Sequence, residues 1–219
     1  MAMRTFLQLA NISPRPLPPE WQDDDVRYPD ALVAHFVREW TKPEDVVFDP
    51  FAGFGTTLRV AEAMGRKPSG LEYDSARVAY IRTQLRNPEA IIHGDARKLA
   101  SYELPRFDLS ITSPPYMQRD DLTDPLTAYS QDGRGYAGYL DDMQSIYAQL
   151  APLMKTGARA VIEVSNLKGA GGVTTLAWDI ARAVGAVLHF EGEIIVGWDP
   201  TYGYGYDHSY CLVFTQPPT

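Results

Sequence analysis

Two short stretches carry residue types whose spacing suits chemistry. Asp49-Pro50-Phe51-Ala52-Gly53-Phe54-Gly55-Thr56-Thr57 follows the apolar run Val46-Val47-Phe48 and leads into Leu58-Arg59-Val60-Ala61-Glu62-Ala63-Met64. Glycines one residue apart let the backbone turn tightly and let a ligand approach where a side chain would clash. The second stretch, Ser113-Pro114-Pro115-Tyr116, follows the strand-like run Phe107–Thr112. Ser113 offers a hydroxyl and Pro114 a carbonyl, both hydrogen-bond acceptors, while the prolines remove competing backbone donors and stiffen the turn. Such a turn suits a ligand group with two N–H or O–H donors, and Tyr116 could stack on a flat ring. Each stretch alone also has a plain reading, since strand-to-helix turns use glycine for geometry and a lone Ser-Pro-Pro-Tyr is usually a turn.

The elements that must position these residues are legible as strands alternating with helices. The first strand, glycine turn and helix are followed by a turn at Lys67-Pro68-Ser69-Gly70 and a second strand ending at Leu71-Glu72-Tyr73-Asp74. An acidic residue at a second strand's end, some way past a glycine turn, can accept hydrogen bonds from ribose hydroxyls. Glu72 fits that position, and Asp74 suits the cap of a helix over Ser75–Leu85. Ala90-Ile91-Ile92-His93 is a third strand, with Asp95 placed to cap the next turn and His93 read as structural. Phe107–Thr112 is the fourth strand and Ala158–Val164 the fifth. Ala186–Val196 and Ser209–Phe214 close the series. Helices are expected over Pro29–Trp40, where Leu32, Val33, Phe36, Val37 and Trp40 share one face, and over Tyr139–Leu153 and Thr174–Val184. Strands alternating with helices indicate an α/β doubly wound sheet, whose ligands sit at the carboxyl ends of the strands.

Together the two motifs resemble those of the S-adenosylmethionine-dependent methyltransferases that modify amino groups of bases in DNA. That family's cofactor motif reads much like DPFAGFGTT, and its catalytic motif is (Asp/Asn/Ser)-Pro-Pro-(Tyr/Phe/Trp). The resemblance runs from roughly Tyr28 to Phe214. It implies a Rossmann-like methyltransferase sheet, mostly parallel with an antiparallel last strand, and S-adenosylmethionine as cofactor. The implied cofactor residues are Asp49, Pro50, Phe51, Ala52, Gly53, Gly55, Thr56, Thr57, Glu72, Tyr73 and Asp95, with Asp95 bonding the adenine amino group. Tyr73 reads equally as an adenine contact and as a surface residue, and Phe51 as a border of the reacting centre or as core. The helix before the first strand would wall the methionine end of the cofactor. Ser113, Pro114, Pro115 and Tyr116 are the implied catalytic residues. Serine at the first position is associated in the family with cytosine N4, and Asp or Asn with adenine N6, so cytosine is the expected base. An RNA exocyclic amine and a non-catalytic cofactor-binding subunit are the rival readings.

Composition sets the remaining bounds. At 219 residues, 45% hydrophobic, the chain is expected to form one domain over residues 26–219, preceded by a proline-rich arm over 1–25 with Trp21 as its anchor. A net charge of −8 argues against tight autonomous DNA binding, so a local basic patch, a homodimer or a separate recognition subunit would have to supply it. The single cysteine, Cys211, excludes an intramolecular disulfide and a cysteine-built zinc site. No apolar stretch spans a bilayer and the start lacks a signal-peptide pattern, so a cytoplasmic location is expected. The histidines show no metal-ligand spacing, and no metal is expected. The glycine turn lacks the lysine of a phosphate-binding loop, and Leu58 stands where a dinucleotide motif has its third glycine. Two loops, Met117–Gly138 and the aromatic Gly197–Asp207, are functional candidates, the second either stacking on unpaired bases or forming a packed turn.

Overall fold

The computed structural model describes residues 3–13, 15–22, 26–127, 134–200 and 206–217. Its main sheet has eight strands: β1 (Phe6–Ala10), β2 (Val46–Asp49), β3 (Lys67–Glu72), β4 (Ile91–His93), β5 (Phe107–Thr112), β6 (Met154–Val164), and β9 and β10 (His189–Asp199 and His208–Thr215). A separate small hairpin is made by β7 (Leu167–Gly169) and β8 (Gly172–Thr174). The order is β1-β9-β10-β6-β5-β2-β3-β4. All pairings are parallel except those of β10, which runs antiparallel to both β6 and β9. This is the Rossmann-like methyltransferase arrangement with its reversed last strand.

Helices cover both faces. α1 (Asp30–Trp40) buries Leu32, Val33, Phe36 and Val37, the stripe that 3.6-residue periodicity predicts, in a core shared with Leu7 of β1, Val47 of β2, Leu109 and Ile111 of β5, and Val161 of β6. α2 (Thr56–Ala63) and α3 (Ser75–Gln84) pack on the same side through Leu58, Val78 and Ile81. α4 (Gly135–Leu150) and α5 (Leu176–Gly185) cover the opposite face. Successive residues of a strand point to opposite faces, so β6 gives Val161 to the α1 side and Ala160 and Ile162 to the α4 side.

The chain moves from β2 outward to β3 and β4, then back across to β5 and β6. The direction therefore reverses between β2 and β5, which are direct neighbours with Phe48 opposite Ser110. The crevice beyond the carboxyl ends of that pair is where open α/β sheets take ligands.

Some elements differ from the sequence reading. Residues 6–10, assigned to the arm, form an edge strand beside β9, with Leu7 opposite Val196. Lys67–Gly70, read as a turn, is the first part of β3. Pro68 is tolerated there because β4 begins its pairing only at Gly70, so the missing N–H leaves that side of the ladder intact. Gly70 is required by closeness: a Cβ would lie 2.9 Å from the carbonyl of Asp49 and from Leu58 Cδ1. The hairpin β7–β8 has no counterpart in the sequence reading. Residues 23–25, 128–133 and 201–205, including part of each candidate loop, lie outside the described residues.

Candidate active site at the ends of β2 and β5

Asp49 ends β2 and is fully enclosed. Its Oδ1 accepts from the backbone N–H of Phe51 at 3.0 Å, which bends the chain into the glycine turn, and its Oδ2 accepts from the Tyr28 hydroxyl at 3.3 Å. Tyr28 also bonds Thr57 at the start of α2, and Thr57 donates to the Ile111 carbonyl on β5 at 3.3 Å. Burial pushes the Asp49 carboxyl up from its ordinary value, with these hydroxyl and amide donors opposing. Asp49 and Thr57 thus act from behind the turn, tying β2, α2, β5 and the segment before α1 together.

Gly53 and Gly55 have φ of +55° and +80°, a region costly for side chains. They differ in surroundings. A Cβ on Gly55 would sit 2.9 Å from Ile81 Cγ1, so this glycine admits helix α3. A Cβ on Gly53 would meet nothing closer than the Phe51 carbonyl at 4.0 Å. The backbone N–H of Gly53 donates to Glu72 Oε2 at 2.7 Å, while that of Asp74 donates to Glu72 Oε1 at 2.8 Å. Burial raises the Glu72 carboxyl above its usual value, and these amide bonds oppose the rise.

Asp74 caps α3 by accepting from the N–H groups of Ala76 and Arg77. Asp95 caps the turn after β4 and is also gripped by the Arg97 guanidinium, at 3.0 Å to Oδ1 and 2.8 Å to Oδ2. Burial works upward on Asp95, but the Arg97 bonds outweigh it and hold the carboxyl below its ordinary range. His93 bonds the Tyr73 carbonyl at 2.9 Å, consistent with a structural role.

At the end of β5, Pro114 is buried, and the Pro115 carbonyl accepts from the Tyr139 hydroxyl of α4 at 3.0 Å. The Tyr116 hydroxyl donates to Glu163 Oε2 on β6 at 3.1 Å and accepts from the backbone N–H of Ser165 at 3.2 Å. The motif is therefore held at both its prolines and its ring.

One cavity of about 770 Å³ joins these parts. Of the sequence-predicted site residues, Pro50, Phe51, Ala52, Gly53, Thr56, Glu72, Tyr73, Asp95, Ser113, Pro114, Pro115 and Tyr116 line it. Asp49, Gly55 and Thr57 are not among its lining residues. The first and last are turned inward to the hydrogen bonds above, and Gly55 faces Ile81. Tyr73 is half exposed at the rim, and Phe51 lines the cavity while packing on the α4-side core. Sequence reasoning missed Arg27 and Tyr28, just after the arm, and Lys168 from the hairpin, all of which line the cavity, as do Gln118 and Asp121 of the first candidate loop. It also missed Glu163, although a lone acid inside the apolar run Ala158–Val164 was a readable signal. Trp21 does anchor the arm, its ring 5.6 Å from Phe54 and 5.4 Å from Tyr80. Among the described residues there is no cluster of potential metal ligands and no helix long and apolar enough to cross a membrane.

The chain resembles known proteins in sequence and in fold. Residues 15–83 match the family model N6_N4_Mtase, described as DNA methylase. The chain is similar to the DNA adenine methyltransferase YhdJ of Escherichia coli K12, 38% identical over 81 residues, which are 37% of this chain and 26% of that protein. It is also similar to the type II methyltransferase M.HinfI of Haemophilus influenzae, 40% identical over 58 residues, 26% of this chain and 16% of that one. These matches thus span about a quarter or less of the curated relatives' length. Among solved structures, TrmN from Thermus thermophilus superposes with a TM-score of 0.61 at 17% identity, covering 86% of this chain and 49% of that one. Magnesium protoporphyrin IX methyltransferase from Synechocystis PCC 6803, solved with bound S-adenosylmethionine, gives 0.55 at 16% identity, covering 86% and 77%. The structural likenesses establish the fold.

Proposed function

We propose that this chain, whose residues 15–83 match the N6/N4 DNA methylase family model, transfers a methyl group from S-adenosylmethionine to an exocyclic amino group of a base in DNA. The observation that carries the proposal is the convergence of the glycine turn and Ser-Pro-Pro-Tyr on a single cavity at the point where the sheet reverses direction.

The residues present fit the cofactor. The space around the Cβ position of Gly53 is open, the carboxylates of Glu72 and Asp95 border the cavity, and about 770 Å³ is within the range of small-molecule sites. In this reading Glu72 takes the ribose hydroxyls and Asp95 the adenine amino group, with Tyr73 against the adenine ring. Pro50, Phe51, Ala52 and Thr56 complete the wall. S-adenosylmethionine, when bound, supplies a methyl group made electrophilic by its sulfonium.

The difficulty lies in the acceptor. An aromatic exocyclic amine shares its lone pair with the ring and is a poor nucleophile. Ser113 Oγ and the Pro114 carbonyl accept hydrogen bonds from the amine hydrogens and draw the nitrogen toward tetrahedral geometry. Both acceptors are fixed in advance by the proline turn, so no reorganisation is needed as charge develops. The Tyr116 ring stacks on the target base, which has to leave its helix to reach the site. Ser113 favours cytosine N4, whereas the similarity to a protein named an adenine methyltransferase moves the expected base toward adenine N6.

The test uses radiolabelled S-adenosylmethionine with unmethylated genomic DNA and, separately, unmodified RNA, followed by digestion and mass spectrometry of nucleosides. Label in N4-methylcytosine or N6-methyladenine of DNA is the expected result, and it identifies the base. Label in RNA alone overturns the substrate. Cofactor binding without any transfer overturns the activity of the chain on its own and favours a separate recognition subunit, in keeping with its net charge of −8.

A further inference from the structure

Glu163 lies within β6 on the same face as Val161, with Cys211 of β10 as its register partner. It is fully buried. Its Oε2 accepts from the Tyr116 hydroxyl at 3.1 Å, and its Oε1 makes no hydrogen bond. The titratable groups that face it among the described residues are Tyr116 from the loop after β5, Tyr28 from the segment before α1 and Cys211 from β10, and none is a cation. The hydroxyls of Ser113 and Ser209 lie close enough to favour its ionised form. A strand core gains nothing from such a group, because an apolar residue of similar volume would pack there at no desolvation cost.

The hydroxyls beside it are aligned. Ser113 Oγ donates toward the Tyr116 oxygen at 3.5 Å, and Tyr116 donates onward to Glu163. The first link is long, as such links often are before substrate binds. The chain begins at the residue that faces the cavity and ends at a carboxylate closed off from water.

We infer that Glu163 is the proton acceptor of the methyl transfer, reached from Ser113 through the Tyr116 hydroxyl; this rests on the amino-methyltransferase reading of the same site. As the nitrogen–carbon bond forms and the carbon–sulfur bond breaks, the amine nitrogen is left with one excess proton. That proton passes to Ser113 Oγ, the Ser113 proton to the Tyr116 oxygen, and the Tyr116 proton to Glu163 Oε2. Both hydroxyls end as they began, and the one net change is a protonated Glu163. Glu163 does not touch the base, so it is a positioning residue acting through Tyr116. Burial raises its carboxyl above the ordinary value, toward a pH at which it can take and return a proton.

The test compares the wild-type chain with Glu163→Gln, Tyr116→Phe and the double variant, measuring kcat and KM on DNA across pH. The infrared band of a protonated carboxyl is followed in the protein without cofactor. Glu163→Gln is expected to lower kcat by about 100-fold with little change in KM, and to remove the acid limb of the kcat profile. Tyr116→Phe, which keeps the ring, is expected to lose about as much, and the double variant no more than the worse single one. In the difference spectrum, wild type minus Glu163→Gln, a carboxyl band is expected to persist above the ordinary glutamate value of about 4.3, the raised carboxyls of Asp49 and Glu72 cancelling between the two. Wild-type turnover with an unchanged kcat and pH profile in Glu163→Gln overturns the relay alone. A wild-type chain that methylates no DNA overturns the functional reading, and the relay with it. If Glu163→Gln fails to fold, Tyr116→Phe decides: a kcat equal to wild type overturns the relay.

Discussion

Glu72 Oε2 accepts from the backbone N–H of Gly53 at 2.7 Å, so the end of β3 holds the glycine turn at the end of β2. The other Glu72 oxygen holds the Asp74 N–H at 2.8 Å, at the start of α3. One carboxylate thereby sets the spacing of two neighbouring strand ends, and the cavity between them follows from it.

Replacing Glu72 with alanine leaves two amide donors without their charged acceptor. The expected loss of stability is about 3 kcal/mol, given about 1.5–3 kcal/mol for each bond to a charged group and partial rescue by water. Urea unfolding measures it. Calorimetry with S-adenosylmethionine is expected to show at least about a tenfold loss of affinity, equivalent to about 1.4 kcal/mol. Unchanged affinity would remove Glu72 from the cofactor site.

The two glycines of the turn are expected to separate stability from binding. Gly55→Ala forces a Cβ to 2.9 Å from Ile81 at φ +80° and is expected to cost about 2–4 kcal/mol, strain and overpacking combined. Gly53→Ala, with open space around it, is expected to cost about 1–2 kcal/mol of backbone strain while weakening cofactor binding more than Gly55→Ala does. Thermal unfolding and calorimetry on the same two variants test the ranking.

Asp95 supplies a pH dependence of defined sign. Its folded value is depressed by Arg97, so its contribution is present above the unfolded value of about 3.9 and is lost as pH falls through the folded value. Because the pair is partly open to water, that contribution is expected to be about 1 kcal/mol or less. Arg97→Ala is expected to raise the Asp95 carboxyl, read by carboxyl-carbon NMR titration, and to weaken acid dependence in pH-resolved unfolding. An unmoved Asp95 titration would refute the assignment.

Cys211 is buried in the α1-side core, and burial followed by the nearby Glu163 pushes its thiol well above the ordinary value. The native chain is expected to resist a thiol reagent at pH 8 and to react with one equivalent after denaturation, since the thiolate is the reactive species. Fast labelling of the native protein would show that β10 opens readily.

The sequence by itself determined the parts that are local in the chain. The β2–turn–α2 unit, the capping of α3 by Asp74, the apolar stripe of α1 and the delivery of Ser113 by β5 all depend on neighbours a few residues away, and periodicity and glycine chemistry express them directly. Tertiary structure decided the rest. Residues 6–10 become a strand only because β9, almost the whole chain away, offers its edge at Ile195–Asp199. Lys67–Gly70 extends as strand because β4 starts late enough to spare Pro68. Asp49 and Thr57 turn from the cavity because Tyr28, just ahead of α1, completes their hydrogen bonds. The apolar residues beside Glu163 hint that it is buried, but its partners come only from Tyr116 after β5, from β10 and from Tyr28 closing around it, since what a buried carboxylate faces depends on whatever surrounds it in space.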